Sequence, residues 1–404
     1  MKFIFFLIGL GLLFSCKANE QVKIIKQSDM PETKKIASIE GKKLNEYATL
    51  EIQPEVFFTA NAKIRSAILA DNGRLYFGNE DCEFYAVDIA SKQALWVYTA
   101  DQAVQTWPVI ADGKIIFNAG DSLYILDCAT GKELHKVTCP SQTPAISKKL
   151  TRVSDHRYSY NDSYAAVSSG IAYYAILDGS LAAVDINNGE VIWTFPSVYK
   201  GWVASGVNFY NGKLYYTDIT GALCCVDTKT RRMVFRTEID DNIHAPLHIN
   251  DGKIYAAGRS CKVHCIDANT GDVIWLSFPH NTTSWFSGGS VSIGSTLYSC
   301  TSDEYTILAF NKDNGDFLRT YSTTVNAYTQ PVLNGENIIV AATDVYSRNR
   351  SHIMEFDTKN HWKLWQARIT DFVVSSPAIY EGAVYFGSDS GKIYSINLKN
   401  IAKK

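Results

Sequence analysis

A turn glycine, an Asp or Asn fifteen residues on, and a bulky side chain eight residues beyond that recur along most of this chain. The glycines are Gly73, Gly113, Gly170, Gly212, Gly252, Gly294, Gly335 and Gly382; the anchors are Asp88, Asp127, Asp185, Asp227, Asp267, Asn311, Asp357 and Asn397. The fifteen-residue gap holds in five of the eight units. Eight residues past the anchor stand Trp96, Trp193, Trp275 and Trp365, with Phe235 in one unit and His135 and Arg319 in two others. The unit from Gly252 to Trp275 reads as two alternating strands, IYAAG and VHCID, then an Asp-opened turn with Gly271 where a positive φ is needed, then a third strand.

A unit of this kind cannot bury both its faces alone, so neighbouring units must cover one another. Successive anchors lie 39 to 58 residues apart, and a period in the low forties is that of a four-stranded propeller blade. Eight anchors predict an all-β, eight-bladed β-propeller of four-stranded antiparallel blades. EVFFTA (residues 55–60) resembles the strand after each anchor, such as ALWVYTA (94–100), whereas the last unit stops at Asn397 without one. The N-terminal strand is therefore expected to complete the blade begun by residues 372–398, closing the ring and removing its open sheet edges.

The chain has 404 residues, 46% of them hydrophobic, and a formal net charge of −2. A repeat over most of that length argues for one large domain, expected over 50–404. The charge supplies no basic field for nucleic acid. Lys2 precedes twelve apolar residues, Phe3 to Phe14, too few to span a bilayer but suited to a signal-peptide core. Leu13-Phe14-Ser15-Cys16 resembles a bacterial lipobox. Residues 1–16 are thus expected as a lipoprotein signal peptide, with Cys16 lipidated and Lys17 favouring the outer membrane; an ordinary signal peptide with an incidental Cys is the alternative. Residues 17–49, polar and aperiodic, are expected as a flexible tether. The other eight cysteines show no framework spacing and read as apolar strand fillers.

The blade pattern, ending in SSPAIYEGAVYFGSDSGKIYSIN (375–397), resembles the pyrroloquinoline-quinone-type propeller repeat, in which the Trp is the blade-docking residue. Two groups share that repeat: quinone-dependent dehydrogenases, and lipoproteins similar to BamB of the outer-membrane β-barrel assembly machinery. Length, lipobox and eight units fit the second. The resemblance implies a non-catalytic scaffold with no cofactor, monomeric, lipid-anchored at the outer membrane and facing the periplasm rather than the cell surface. Its implied partners are proteins of an outer-membrane β-barrel assembly complex. A glycan- or ligand-binding surface lipoprotein is the alternative, and a quinone-dependent or polysaccharide-lyase enzyme a further one. Quinone enzymes often set an adjacent-Cys disulfide against the quinone, but Cys224 and Cys225 fall in one strand and must point to opposite faces. No phosphate loop, nucleophile elbow or metalloprotease helix is present. His244 and His248 share a strand face and leave a metal site open; Asn161 and Asn281 open sequons that a bacterial chain leaves idle.

Each inner strand is preceded by an inter-blade loop, and residues just before it should crowd the channel mouth. In register these are Lys63, Arg65, Trp107, Trp202, His244, Trp285, Tyr328 and Gln330, joined by Arg348 and Arg350 from the insertion 343–352. Aromatic faces beside polar donors suit peptide strands or sugar rings, and the arginines suit acidic groups of a protein. Channel plugging and solvated charge are the plainer alternatives.

Overall fold

The structure, a computed structural model, describes residues 22–26, 29–31, 34–36, 50–139, 164–176, 178–197, 203, 205–218, 220–239, 245–279 and 285–401. Its strands form eight sheets with four antiparallel strands at the heart of each, consecutive in seven of them. We number the blades by sequence: blade 1 (69–99), blade 2 (109–138), blade 3 (166–195), blade 4 (208–238), blade 5 (248–279), blade 6 (286–322), blade 7 (332–369) and blade 8 (378–397).

Blade 8 has three strands of its own and takes the fourth from the N-terminal side. Strand β4 (Glu55–Thr59) pairs antiparallel with Lys392–Asn397, setting Thr59 opposite Lys392 and Phe58 opposite Ile393. The closure read from the EVFFTA segment is the one observed. Backbone bonds continue the seam: Ala60 N–H donates to Gly391 O at 2.7 Å and Ile64 N–H to Ser388 O at 2.9 Å.

Three further short strands lie upstream of β4. Strand β1 (Lys23–Ile25) runs parallel to the outer strand of blade 4, β2 (Lys34–Ile36) to that of blade 5, and β3 (Leu50–Ile52) to that of blade 7. The stretch expected as a tether thus contributes two strands. An outer edge presents unpaired N–H and C=O groups, and an extended segment satisfies them.

The core is divided among the blade interfaces. Among the described residues, eight apolar clusters lie between blades, one per neighbouring pair, from the blade 1–2 cluster around Phe84, Phe117 and Tyr124 to the blade 8–1 cluster around Phe77, Tyr385 and Ile393. Middle strands such as KIIFNA (Lys114–Ala119) and LAAVD (Leu181–Asp185) are buried on both faces, hence their nearly continuous apolar runs.

The repeat residues now acquire physical roles. Each anchor carboxylate holds its turn: Asp267 accepts from the N–H groups of Asn269 and Thr270 at 2.8 and 2.9 Å, and Asp227 does the same for Lys229 and Thr230. The docking ring packs on a Tyr three residues after the turn glycine of its own blade. The centroid separations are 6.0 Å for Trp96–Tyr76, 5.9 Å for Trp193–Tyr173, 6.3 Å for Phe235–Tyr215 and 6.0 Å for Trp275–Tyr255. The ring then reaches the next blade. There a glycine of positive φ lies beneath it: a Cβ on Gly131 would meet Trp96 at 2.4 Å, and one on Gly315 would meet Trp275 at 2.5 Å. In blade 8 this ring is Phe57 of β4, edge-on to Tyr385 at 5.1 Å.

Candidate functional site at the channel mouth

The turns opened by the anchors and the turns at the repeat glycines lie on one face of the ring, here the turn face. The described ends of the inter-blade connections and of the second-to-third-strand loops lie on the other, the rim face, which carries the described residues among those expected around the mouth. Trp202 and His244 fall outside the described residues, as does Cys16.

Arg65 sits between β4 and blade 1 and joins the two blades that close the ring. Its Nε and Nη2 donate to the two oxygens of Asp389 in blade 8 at 2.8 and 2.7 Å, and Nη1 lies 2.9 Å from Glu80 of blade 1. Its side chain is only 13% exposed. Gln105 adds a 3.2 Å bond to Glu80, and Lys63, more exposed, stands 3.6 Å from it. A forked guanidinium between two carboxylates fixes geometry as well as charge. Arg65 therefore clamps the seam from within the chain.

Trp107 and Gln330, from distant parts of the sequence, both face the inside of the ring. Both line a cavity of about 510 Å³ together with Tyr164, Asn208, Leu247 and His248. Trp107 stacks on Tyr164 with centroids 5.3 Å apart and planes 20° apart, and the Tyr164 hydroxyl donates to Asn208 Oδ1 at 2.7 Å. His248 bonds Ser292 Oγ at 2.8 Å and stacks on Tyr255. Burial, reinforced by the Lys312 cation, pulls its imidazole down to about 4, so the ring is neutral. Among the described residues no three His, Cys, Asp or Glu side chains converge as metal ligands.

Trp285 is covered by Arg259, whose guanidinium carbon lies 4.5 Å from the ring centroid. Tyr328 packs against a small apolar cluster of Val345, Phe372 and Val374. From that cluster rises the hairpin 344–350 of blade 7. Asp344 organises it, accepting from the N–H groups of Tyr346 and Ser347 at 3.1 and 3.0 Å and from Arg350 Nη2 at 2.9 Å. These bonds hold its carboxyl below the usual range. Arg348, at positive φ, lays its guanidinium over Phe372 at 5.7 Å. Tyr346 is 70% exposed, with its hydroxyl 3.4 Å from Asp303 of blade 6. The insertion was visible as extra length; Tyr346 was not singled out, because exposure of an aromatic in a loop leaves no periodic trace.

The described part of the expected rim thus resolves into four groups: a seam clamp (Arg65, Lys63), an axial aromatic cavity (Trp107, Gln330), a projecting arm (Arg348, Arg350, with Tyr328 beneath), and Trp285 under Arg259. Cys224 and Cys225 take no part. Cys224 packs into the blade 3–4 cluster and Cys225 into the blade 4–5 cluster, both as free thiols. Burial pushes the Cys225 thiol up to about 12, so it is unreactive.

A closed eight-bladed ring of pyrroloquinoline-quinone-type repeats, with loops and aromatic side chains gathered on one face, defines the class of protein. Within that class the chain belongs to the family of the outer membrane protein assembly factor BamB, whose family model matches residues 45–174, 177–275 and 259–401. It is similar to BamB of Moranella endobia (22% identical over 300 residues, covering 70% of this chain and 71% of that protein) and of Yersinia pestis (22% over 237 residues, 54% and 55%). BamB of Legionella pneumophila is 26% identical over 174 residues, 42% of each chain. The chain thus spans about half or less of the Yersinia and Legionella relatives. Among solved structures it is similar to BamB from Moraxella catarrhalis, with a TM-score of 0.64 at 16% identity, covering 86% of this chain and 97% of that one. The computationally designed Ika8 protein superposes equally well, with a TM-score of 0.63 at 14% identity, covering 84% and 99%. At these identities the structural likeness speaks for the fold.

Proposed function

We propose that the chain is a non-catalytic lipoprotein scaffold of the outer membrane. It is anchored through Cys16, faces the periplasm and presents its rim face to protein partners in β-barrel assembly. The observation that carries this reading is the match to the assembly-factor family across residues 45–401, which takes in the whole propeller. The rim geometry supports it. The hairpin 344–350 offers an exposed aromatic ring beside two arginines on a rigid base, the composition that dominates protein–protein hot spots. Arg65 acts indirectly, by holding blades 1 and 8 in register.

A second reading rests on the Trp107–Tyr164 stack over the axial cavity, a surface on which a sugar ring or planar ligand would lie. Affinity capture of the tagged lipoprotein from gently solubilised membranes, with mass spectrometry of the bound proteins, separates the two. Recovery of a β-barrel assembly complex, lost in a Tyr346→Ala/Arg348→Ala double variant, supports the scaffold. Recovery of sugar-uptake proteins instead, with glycan affinity abolished by Trp107→Ala, supports the second reading.

A further inference from the structure

We propose that the propeller is held against the bilayer with the turn face of blade 4 toward anionic lipid headgroups and the rim face pointing away. The inference rests on lipidation at Cys16. Had residues 17–49 all been free, the domain would wander on a link of roughly 120 Å at full extension, and no face would be preferred. Strand β1 shortens that link. Lys23–Ile25 is paired with Phe235–Thr237 of blade 4, and Ile25 is buried. Six residues separate Cys16 from Lys23, a reach of about 25 Å at most. A blade strand is itself about 20 Å long, so blade 4 stays within roughly its own height of the surface.

Strand direction sets which face is near. β1 runs parallel to Arg232–Glu238, which leaves the turn face and ends at the rim. The chain therefore arrives at β1 from the turn-face side. Lys23 confirms the direction by bonding Asp272, in the turn of blade 5, at 2.6 Å.

Charge and apolarity at that place match a lipid surface. The blade 4 turn reads DTKTRR (227–232) and carries Lys229, Arg231 and Arg232, all exposed, against the single anchor Asp227. The equivalent turn of blade 5, DANTGD, has no cation, and that of blade 3, DINNGE, has none. Arg231 occupies, at φ 58°, the positive-φ position that Gly131, Gly189, Gly271 and Gly315 fill in four blades and that Lys92 and His361 fill in blades 1 and 7. A bulky cation there is placed against local conformational preference. Beside it, the β1 region adds exposed aliphatic side chains, Val22 and Ile24 at 40% and 50% exposed, with the exposed Lys23 between them. A basic cluster with exposed aliphatic groups next to a lipid anchor is the combination that holds a protein flat on an anionic membrane.

The test uses the full-length lipoprotein in vesicles of phosphatidylethanolamine and phosphatidylglycerol containing a headgroup-labelled acceptor lipid. A donor dye is attached in turn to a reactive residue replacing Thr230 (turn face, blade 4), Glu381 (turn face, blade 8) or Arg350 (rim). Energy transfer from position 230 should exceed that from position 350 by about twofold or more, with 381 between them. Ile25→Asp, which undocks β1, should level the three values, and the pair Lys229→Glu/Arg231→Glu should reduce the first. Equal transfer from all three sites in the parent protein, or greatest transfer at 350, overturns the proposal. Each variant is first checked to melt like the parent. Failure of the anchor is a separate result: intact mass of the purified protein shows whether Cys16 carries lipid. If it does not, vesicle co-sedimentation of the chain, with and without the Lys229 and Arg231 reversals, still decides whether the patch binds anionic lipid.

Discussion

The indole N–H of Trp275 in blade 5 donates to the backbone carbonyl of Lys312 in blade 6 at 3.0 Å. The hydroxyl of Tyr255 reaches the same oxygen at 3.2 Å. One carbonyl thus receives two aromatic donors from the neighbouring blade, and the apolar bodies of both rings are buried in the interface. The same arrangement recurs where Trp96 and Tyr76 converge on Cys128 O at 3.2 and 3.4 Å. Trp275→Ala should lower stability by about 3–5 kcal/mol, through the cavity and the lost bond. Trp275→Phe should cost markedly less. Thermal unfolding monitored by circular dichroism ranks the two.

The glycines under these rings make a sharper comparison. Gly315→Ala places a methyl 2.5 Å from Trp275 at φ 76°, whereas Gly73→Ala at φ 72° meets nothing within 4 Å. The first should cost about 2–4 kcal/mol, from strain and overpacking together, and the second about 1–2 kcal/mol, from strain alone. Equal losses would show that the ring does not hold its place.

The seam depends on Arg65. Arg65→Ala leaves Asp389 and Glu80 without their shared cation in a partly enclosed site, and a loss of about 1–3 kcal/mol is expected. Arg65→Lys should recover part of it, since it keeps the charge but not the fork that spans both carboxylates. Denaturant midpoints of the two variants measure the difference.

Acid should weaken the fold through histidine. His248 and His352 are both pulled down to about 4, chiefly by burial, with neighbouring cations adding to the effect. Depressed histidines bind fewer protons in the folded state than in the unfolded state. Their contribution is complete above pH about 6.5 and falls as the pH drops toward 4, by up to about 2–3 kcal/mol each. His352→Asn should flatten that slope in a pH series of unfolding curves; an unchanged slope would show that the carboxylates dominate it.

The blades were legible because their rules are local. Gly271 is needed for a positive φ, Asp267 caps the turn that follows it, and Trp275 docks; each lies within a few residues of the others in sequence. Closure was legible for the same reason: EVFFTA carries Phe57 in the place that a ring past Asn397 would occupy. The five Tyr partners three residues after the turn glycine were equally periodic, but they read as ordinary strand residues until their contacts were seen. The strands Lys23–Ile25 and Lys34–Ile36 were not legible. Three residues set no period, and their pairing depends on edges that exist only once blades 4 and 5 have formed. At the rim, register proposed positions but could not show their alliances. Nothing local says that Arg65 meets Asp389, 324 residues away, or that Trp107 and Gln330 share a cavity.

The central claim is that the rim face engages β-barrel assembly proteins. Site-specific photo-crosslinking in intact cells tests it most directly, with the reactive group placed at Tyr346 on the rim hairpin and, for contrast, at Glu381 on the turn face. The account predicts crosslinks from position 346 to a component of the outer-membrane assembly complex and none to that component from position 381. Crosslinks of equal strength from both positions, or none to any assembly component from position 346, would contradict it.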